Sequence, residues 1–309
     1  MLVSIVVCTH SLDNFQNLMD AVDSLLDQTH KEIEVIIVVD GNRGLYERIV
    51  KIYDGKGNIK IILTEESLGA FGAGNVGVKA AQGDIMAFLD DDAVGEKRWI
   101  GSLVDIYKKR DAISVGGKIL PIWLSKKPDY FPEELGWLVG ITHEGFADEK
   151  VAEVRNTFGP NMSFRREVFE KIGLLNPKLG FAKGRTTIMQ GAEPEFALRM
   201  KNELGKGVIY NPDAVVYHKI PPSKTRPRTL LRRAFYQGYS KALMRRRSPS
   251  HETLATEESY LKDLLVKYIP RRVKAILSLN SVKEVKQLSF LIITIISVGL
   301  GFLCGYVKG

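Results

Sequence analysis

The feature that most constrains this chain is the alternation of short apolar runs with amphipathic segments through its first 120 residues. Leu2–Cys8, Glu34–Val39, Ile59–Leu63, Ile85–Leu89 and Ile113–Gly117 read as strands. Between them, Asn14–Leu26, Leu45–Tyr53, Ala73–Ala81 and Arg98–Lys109 carry apolar residues at helical spacing. Strand–helix–strand alternation predicts an α/β fold with a doubly wound, mostly parallel sheet. Ligands bind such sheets beyond the carboxyl ends of the strands, where strand order reverses. Three polar clusters fall at those ends: Thr9-His10, Asp40-Gly41 and Asp90-Asp91-Asp92.

Residues 121–156 have little regular period and contain three prolines, as expected of a functional loop region. Trp123, Tyr130, Phe131 and Trp137 lie there, suited either to stacking on a sugar or to forming a core for the loop. Order returns at Thr157–Phe164, with a helix at Glu167–Ile172, another after Pro194, and a strand at Ala214–Tyr217. Basic helical segments follow at Leu230–Arg247 and Tyr260–Leu279. The uncharged run Leu288–Val307 is long enough to cross a hydrocarbon core of roughly 30 Å as a helix.

Charge is unevenly placed. Residues 219–286 hold 17 Lys and Arg against 5 Asp and Glu, whereas residues 1–218 hold 26 against 31, so the net charge of +8 belongs to the C-terminal third. A basic stretch beside an apolar span fits anionic lipid headgroups, and no nucleic-acid module accompanies it, so nucleic acid is not an expected partner. Arg271, Arg272, Lys274, Lys283 and Lys286 precede the apolar run and only Lys308 follows it. That asymmetry predicts a single-pass protein of the cell membrane with its N-terminal side in the cytoplasm. The only cysteines, Cys8 and Cys304, offer no disulfide framework. The run Leu2–Cys8 is too short for a signal peptide and lacks a basic leader.

Phe88-Leu89-Asp90-Asp91-Asp92 is the strongest local signal, because packing gives no reason to gather three carboxylates at a strand end. Their repulsion calls for a hard divalent cation, Mg²⁺ or Mn²⁺, able to bridge a diphosphate to the protein; a solvated acidic turn is the bland alternative. Gly72-Ala73-Gly74-Asn75-Val76-Gly77 matches G-x-G-x-x-G, which alone would point to a dinucleotide-binding oxidoreductase.

A longer ordered set carries more weight. Val6-Val7-Cys8-Thr9, Val39-Asp40-Gly41, Leu68-Gly69 through Gly77, Ala81-Gln82-Gly83-Asp84 and Phe88 through Asp92 recur at spacings that resemble family 2 glycosyltransferases. Gly159-Pro160-Asn161-Met162-Ser163-Phe164-Arg165-Arg166, Gly191-Ala192-Glu193-Pro194-Glu195-Phe196 with Arg199, and Tyr217-His218 extend the resemblance over about residues 1–240. The pattern is most similar to archaeal enzymes of N-glycan assembly that transfer glucuronate to a dolichyl-phosphate-linked sugar. The resemblance implies a GT-A catalytic domain at 1–225, basic juxtamembrane helices at 226–287 and a transmembrane helix at 288–307. It also implies a UDP-sugar donor and a lipid-linked saccharide acceptor.

Residue by residue, it implies that Asp40 and the backbone near Thr9 hold the base, with Asn75 nearby, and that Asp90 meets the ribose. Asp92 would bind the metal, with His218 completing that site, and Asn161 and Gly159 would line the sugar pocket. Inverting transfer needs a carboxylate to take the proton of the attacking hydroxyl. Glu193 fits: Pro194 marks a first helical position, which puts Glu193 at the N-cap, where the helix terminus keeps it ionised. Glu195 is the other candidate, although it can pair with Arg199 one turn on. Gly74 and Ala192 depart from the family pattern, standing where relatives often carry a basic residue and Glu. A polyprenyl-phosphate sugar synthase remains an alternative, since a phosphate acceptor needs no strong base. So does a membrane scaffold that keeps the fold without the activity.

Overall fold

The computed structural model describes residues 1–179, 191–247, 253–279 and 281–308. In chain order the elements are β1 (Val3–Thr9), α1 (Phe15–Leu26), β2 (Ile33–Val39), α2 (Arg43–Tyr53), β3 (Ile59–Leu63), α3 (Ala70–Ala80), β4 (Ile85–Asp90), β5 (Ala93–Gly95), α4 (Trp99–Lys109) and β6 (Ser114–Trp123). Then come β7 (Ala152–Val154), β8 (Met162–Arg165), α5 (Arg166–Ile172), α6 (Ala192–Leu204), β9 (Val208–Ile220), α7 (Pro227–Arg247), α8 (Ala255–Asp263), α9 (Ile269–Leu279) and α10 (Val282–Lys308).

The sheet runs β3-β2-β1-β4-β8-β6-β9-β5, with β7 also paired to β9. The first four strands are parallel, as the alternation predicts, whereas β8 pairs antiparallel with β4 and β6, and β5 with β9. The chain forms an α/β sheet covered on both faces. Val3, Ile5 and Val7 pack with α1, α2 and α4 on one side, while Val6, Ile36, Val38, Met86 and Phe88 pack with α3, α5 and α6 on the other. The period-two alternation of the pleat therefore feeds two cores, which is why these strands read as continuous apolar runs.

The glycines of the G-x-G-x-x-G match lie inside α3 rather than in a loop before it. A β-carbon on Gly77 would overlap the Val6 side chain, so this glycine lets the helix lie close on β1. Gly77 thus serves helix–sheet packing and Gly72 clears the Leu68 side chain, and the dinucleotide-binding alternative loses its main support.

Among the described residues two compact units emerge: residues 1–121, 147–179 and 192–219, and residues 122–146, 191, 220–247, 253–279 and 281–308. The linear division at 225 differs from this, because the irregular segment after β6 groups with the C-terminal helices. Within the second unit, Phe131 is fully buried and meets Trp123 edge-on at 5.9 Å, and Trp137 Nε1 donates to the Tyr260 hydroxyl at 3.1 Å. These aromatics form a loop core. Glu134, with no exposed surface, receives Arg272 through two hydrogen bonds at 3.0 and 2.6 Å, and Arg272 also donates to Glu284 and Gln287, each at 2.6 Å.

α10 is long and apolar enough to cross a membrane, with mean hydropathy 2.3 over its most apolar window. It does not stand alone. Ser297 Oγ donates to the Leu231 carbonyl at 2.9 Å, and β-carbons on Gly238 and Gly301 would overlap the backbone carbonyls of Val298 and Phe235. Contacts that advance together along both helices make α7 and α10 parallel, with their backbones nearly touching.

Candidate active site

β1 and β4 are adjacent and in register, Cys8 opposite Asp90, at the place where the strand order turns from β2 on one side of β1 to β4 on the other. The acidic triplet thus sits at the switch point of the parallel sheet. Its three members have different surroundings. Asp90 is exposed, Asp92 is half-buried, and Asp91 is buried.

Asp91 accepts hydrogen bonds from Thr9 Oγ1 at 2.7 Å and Asn14 Nδ2 at 3.3 Å. Burial pushes its carboxyl up to about 6 against the Thr9 bond that favours ionisation, and the Asp92 charge adds to the rise. Burial and the neighbouring Asp90, Asp91 and Asp40 carboxylates likewise push the Cys8 thiol up, leaving it an unreactive thiol.

Asp90, Asp92 and His218 bring one ligand atom each within 4.8 Å of one another. His218 Nε2 lies 3.1 Å from Asp92 Oδ1, and β5–β9 pairing fixes that approach by setting Ala93 opposite His218. The Lys219 amide donates to the Asp92 carbonyl at 2.9 Å, while its buried ammonium pairs with Asp20 and reaches Asn17 Oδ1 at 3.2 Å. Two carboxylate oxygens and an imidazole nitrogen form a donor set that can hold Mg²⁺ or Mn²⁺. Asp90, assigned to the ribose by resemblance, stands among these ligand candidates.

Glu193 lies in the first turn of α6, which starts at Ala192, so it is not the N-cap. Pro194 is tolerated at the third helical position because the first-turn amides have no intrahelical partner to lose. A β-carbon on Gly159 would stand 3.4 Å from Glu193 Oε1 and 3.9 Å from Asp90 Oδ1, so the candidate base and the acidic cluster approach one spot. Glu195 is turned to Arg199, with Nε–Oε1 at 3.0 Å and a second bond at 3.3 Å.

Other candidates have structural partners instead. Asn161 is fully buried; its Oδ1 accepts from Trp99 Nε1 at 2.9 Å and its Nδ2 donates to the Lys118 and Ala214 carbonyls. It cannot line a sugar pocket. Asn75 exchanges two hydrogen bonds with the Leu175 backbone, at 2.8 and 3.1 Å, tying α3 to the segment after α5. Asp40 accepts from Thr64 Oγ1, Ser67 Oγ and the amides of Leu68 and Gly69. Four bonds fill a carboxylate's acceptor capacity, so its side chain orders the loop before α3. The Thr9 hydroxyl is taken by Asp91 and its carbonyl accepts from the Asp40 amide at 2.7 Å, so Thr9, 1% exposed, is held within the sheet. Sequence reasoning missed the clamp on Asp91 and the Lys219–Asp20 pair, since neither partner choice leaves a periodic or spaced signal.

The family model described as Glycosyl transferase family 2 matches residues 4–173. A Haloferax volcanii protein named glucosyl-dolichyl phosphate glucuronosyltransferase is 37% identical over 306 residues, covering 99% of this chain and 96% of that protein. Among solved structures, the Pyrobaculum calidifontis mannosyltransferase PcManGT, in complex with GDP-Man and Mn²⁺, superposes with TM-score 0.66 at 14% identity, over 97% of this chain and 86% of that one. The S. aureus protein TarS superposes with TM-score 0.55 at 16% identity, over 99% and 89%. At such identities the solved structures speak for the fold.

Proposed function

The chain belongs to glycosyl transferase family 2, and from that premise we propose that it transfers glucuronate, with inversion, from UDP-glucuronate to a dolichyl-phosphate-linked saccharide in N-glycan assembly. The observation that carries the reading is the approach of Glu193 Oε1 and Asp90 Oδ1 to one spot beside Gly159, next to the Asp90, Asp92 and His218 cluster. Support for donor and acceptor comes from the near full-length likeness to the Haloferax enzyme.

The roles follow from the geometry. Asp90, Asp92 and His218 would hold the divalent ion, and the imidazole nitrogen favours Mn²⁺ over Mg²⁺, which prefers an all-oxygen shell. Bound there, the ion supplies positive charge to the leaving diphosphate. Glu193 takes the proton of the acceptor hydroxyl as the new glycosidic bond forms at the anomeric carbon and the bond to UDP breaks. Its first-turn position stabilises the carboxylate that must accept that proton. The loop ordered by Asp40 would frame the base.

We further propose that α10 holds the enzyme at the cytoplasmic face of the cell membrane, where exposed Lys274, Lys283 and Lys286 meet anionic headgroups. Arg271 and Arg272, counted with them in the sequence, are engaged by Glu144 and Glu134. The test is transfer from UDP-glucuronate to dolichyl-phosphate glucose in vesicles with Mn²⁺. Product formation supports the reading; turnover with dolichyl phosphate alone would replace it with sugar-phosphate synthesis.

A further inference from the structure

His218 and Lys219 are neighbours on β9, so their side chains leave on opposite faces of the strand. His218 meets Asp92 on one face. On the other, the Lys219 ammonium pairs with Asp20 and donates to Asn17 Oδ1 at 3.2 Å. Asp91, the residue before Asp92, is held by Asn14 Nδ2 at 3.3 Å, and Asn17 Nδ2 donates to Asn14 Oδ1 at 3.5 Å. Asn14, Asn17 and Asp20 recur at three-residue spacing, which sets them along one edge of α1. Hydrogen bonds therefore run in one direction, from the Lys219 ammonium through two side-chain amides to the Asp91 carboxylate. Further on, Ser24 Oγ accepts from the Gly95 amide at 3.0 Å, and Gln28 Nε2, just past α1, donates to the Glu96 carbonyl at 2.8 Å. The same helix edge thus grips the segment 91–96 at both ends.

β5 has three residues, and its pairing with β9 ends toward the site at Ala93 and His218. So short a ladder gives the approach of His218 to Asp92 little support of its own. Lys219 adds two ties: its amide donates to the Asp92 carbonyl at 2.9 Å, and its ammonium fastens β9 to α1. Taking an ammonium out of water is costly, and an apolar side chain of like volume would fill the place without that cost. Lys219 is nonetheless only 7% exposed. Resting on the metal site proposed above, we propose that Lys219 is a positioning residue for the divalent ion. Its ammonium holds the end of β9 to the helix edge that also holds Asp91, and so sets the separation of the His218 and Asp92 ligand atoms. It acts through those two residues and not on the ion itself.

The test measures Mn²⁺ affinity by titration calorimetry, and histidine-nitrogen coupling to the bound ion by pulsed electron paramagnetic resonance, on the full chain in detergent. Lys219→Met should weaken Mn²⁺ by about 10–100-fold, the loss typical when a partner of a ligand is disturbed, and should reduce the nitrogen coupling. Lys219→Arg should recover most of both. Lys206→Met, which breaks an ion pair with Asp111 in the same unit, should change neither. Asn14→Leu should also weaken the ion, and the double variant Lys219→Met/Asn14→Leu should lose less than the product of the single losses, because both cut one chain of hydrogen bonds. Wild-type affinity in Lys219→Met, losses that multiply fully in the double variant, or an equal loss in Lys206→Met would overturn the assignment. Should Lys219→Met fail to fold, Asn17→Leu decides: weakened Mn²⁺ supports the assignment and wild-type affinity overturns it. Wild-type protein that binds no Mn²⁺, or binds it as well after His218→Ala, would instead overturn the metal reading, and this assignment with it.

Discussion

Thr9 Oγ1 donates a 2.7 Å hydrogen bond to the Asp91 carboxylate, so the middle acid of the triplet is anchored to β1 while Asp90 and Asp92 gather with His218. Because its carboxyl titrates near 6, above the ordinary value of 3.8, the folded chain keeps a proton that the unfolded chain releases between those values. Asp91 therefore makes stability fall as pH rises from about 4 to about 6, by about 2–3 kcal/mol, and contributes no further slope above that. Asp91→Asn should remove that slope. Thermal melts in EDTA across this range check it, and identical pH profiles for variant and wild type would refute the assignment.

Asp92→Asn should leave the fold intact and abolish stabilisation by Mn²⁺, which for wild type reaches about 2.7 kcal/mol at a hundred times the dissociation constant. His218→Ala should weaken Mn²⁺ by at least the roughly tenfold loss seen when a partner outside the ligand shell is disturbed. Titration calorimetry with the metal alone reads both. Wild-type affinity in either variant would move the ion elsewhere.

Glu193→Gln should lower transfer by about two to four orders of magnitude with UDP binding unchanged, the usual size of a general-base contribution. Single-turnover kinetics separate the chemical step from binding. Full activity would transfer the role to Glu195, which is otherwise occupied by Arg199.

The parallel half of the sheet and the acidic strand end were legible in the sequence because each rests on a local pattern: short continuous apolar runs separated by helical spacing, and clustered charge. Hydrogen-bond partners were not. Asn161, Asn75 and Asp40 carry residue types equally suited to a ligand or to backbone carbonyls and amides, and only the fold decides which lies within reach. The antiparallel strands β5, β7 and β8 are three or four residues long, too short for periodicity to register.

Arg272→Ala should destabilise the C-terminal unit by about 3–5 kcal/mol, because it leaves the Glu134 carboxylate buried without its main cation. The double variant Glu134→Leu/Arg272→Met should recover much of that loss. Chemical denaturation in detergent, followed by Trp137 fluorescence, distinguishes the two; equal destabilisation by both would show that the pair matters for its shape rather than its charge.

Because α7 and α10 run parallel with their backbones in contact, neither can change depth in a lipid layer without the other. Leu231 sits level with Ser297, so exposed Arg232 travels beside the midpoint of the apolar run. Drawing α10 to the centre of a bilayer would carry that guanidinium along, at about 2.5–3.5 kcal/mol on translocon scales unless it snorkels to the headgroups. In a bilayer the arginine-bearing helix would thus act as a float on the greasy one, limiting how far the enzyme sinks.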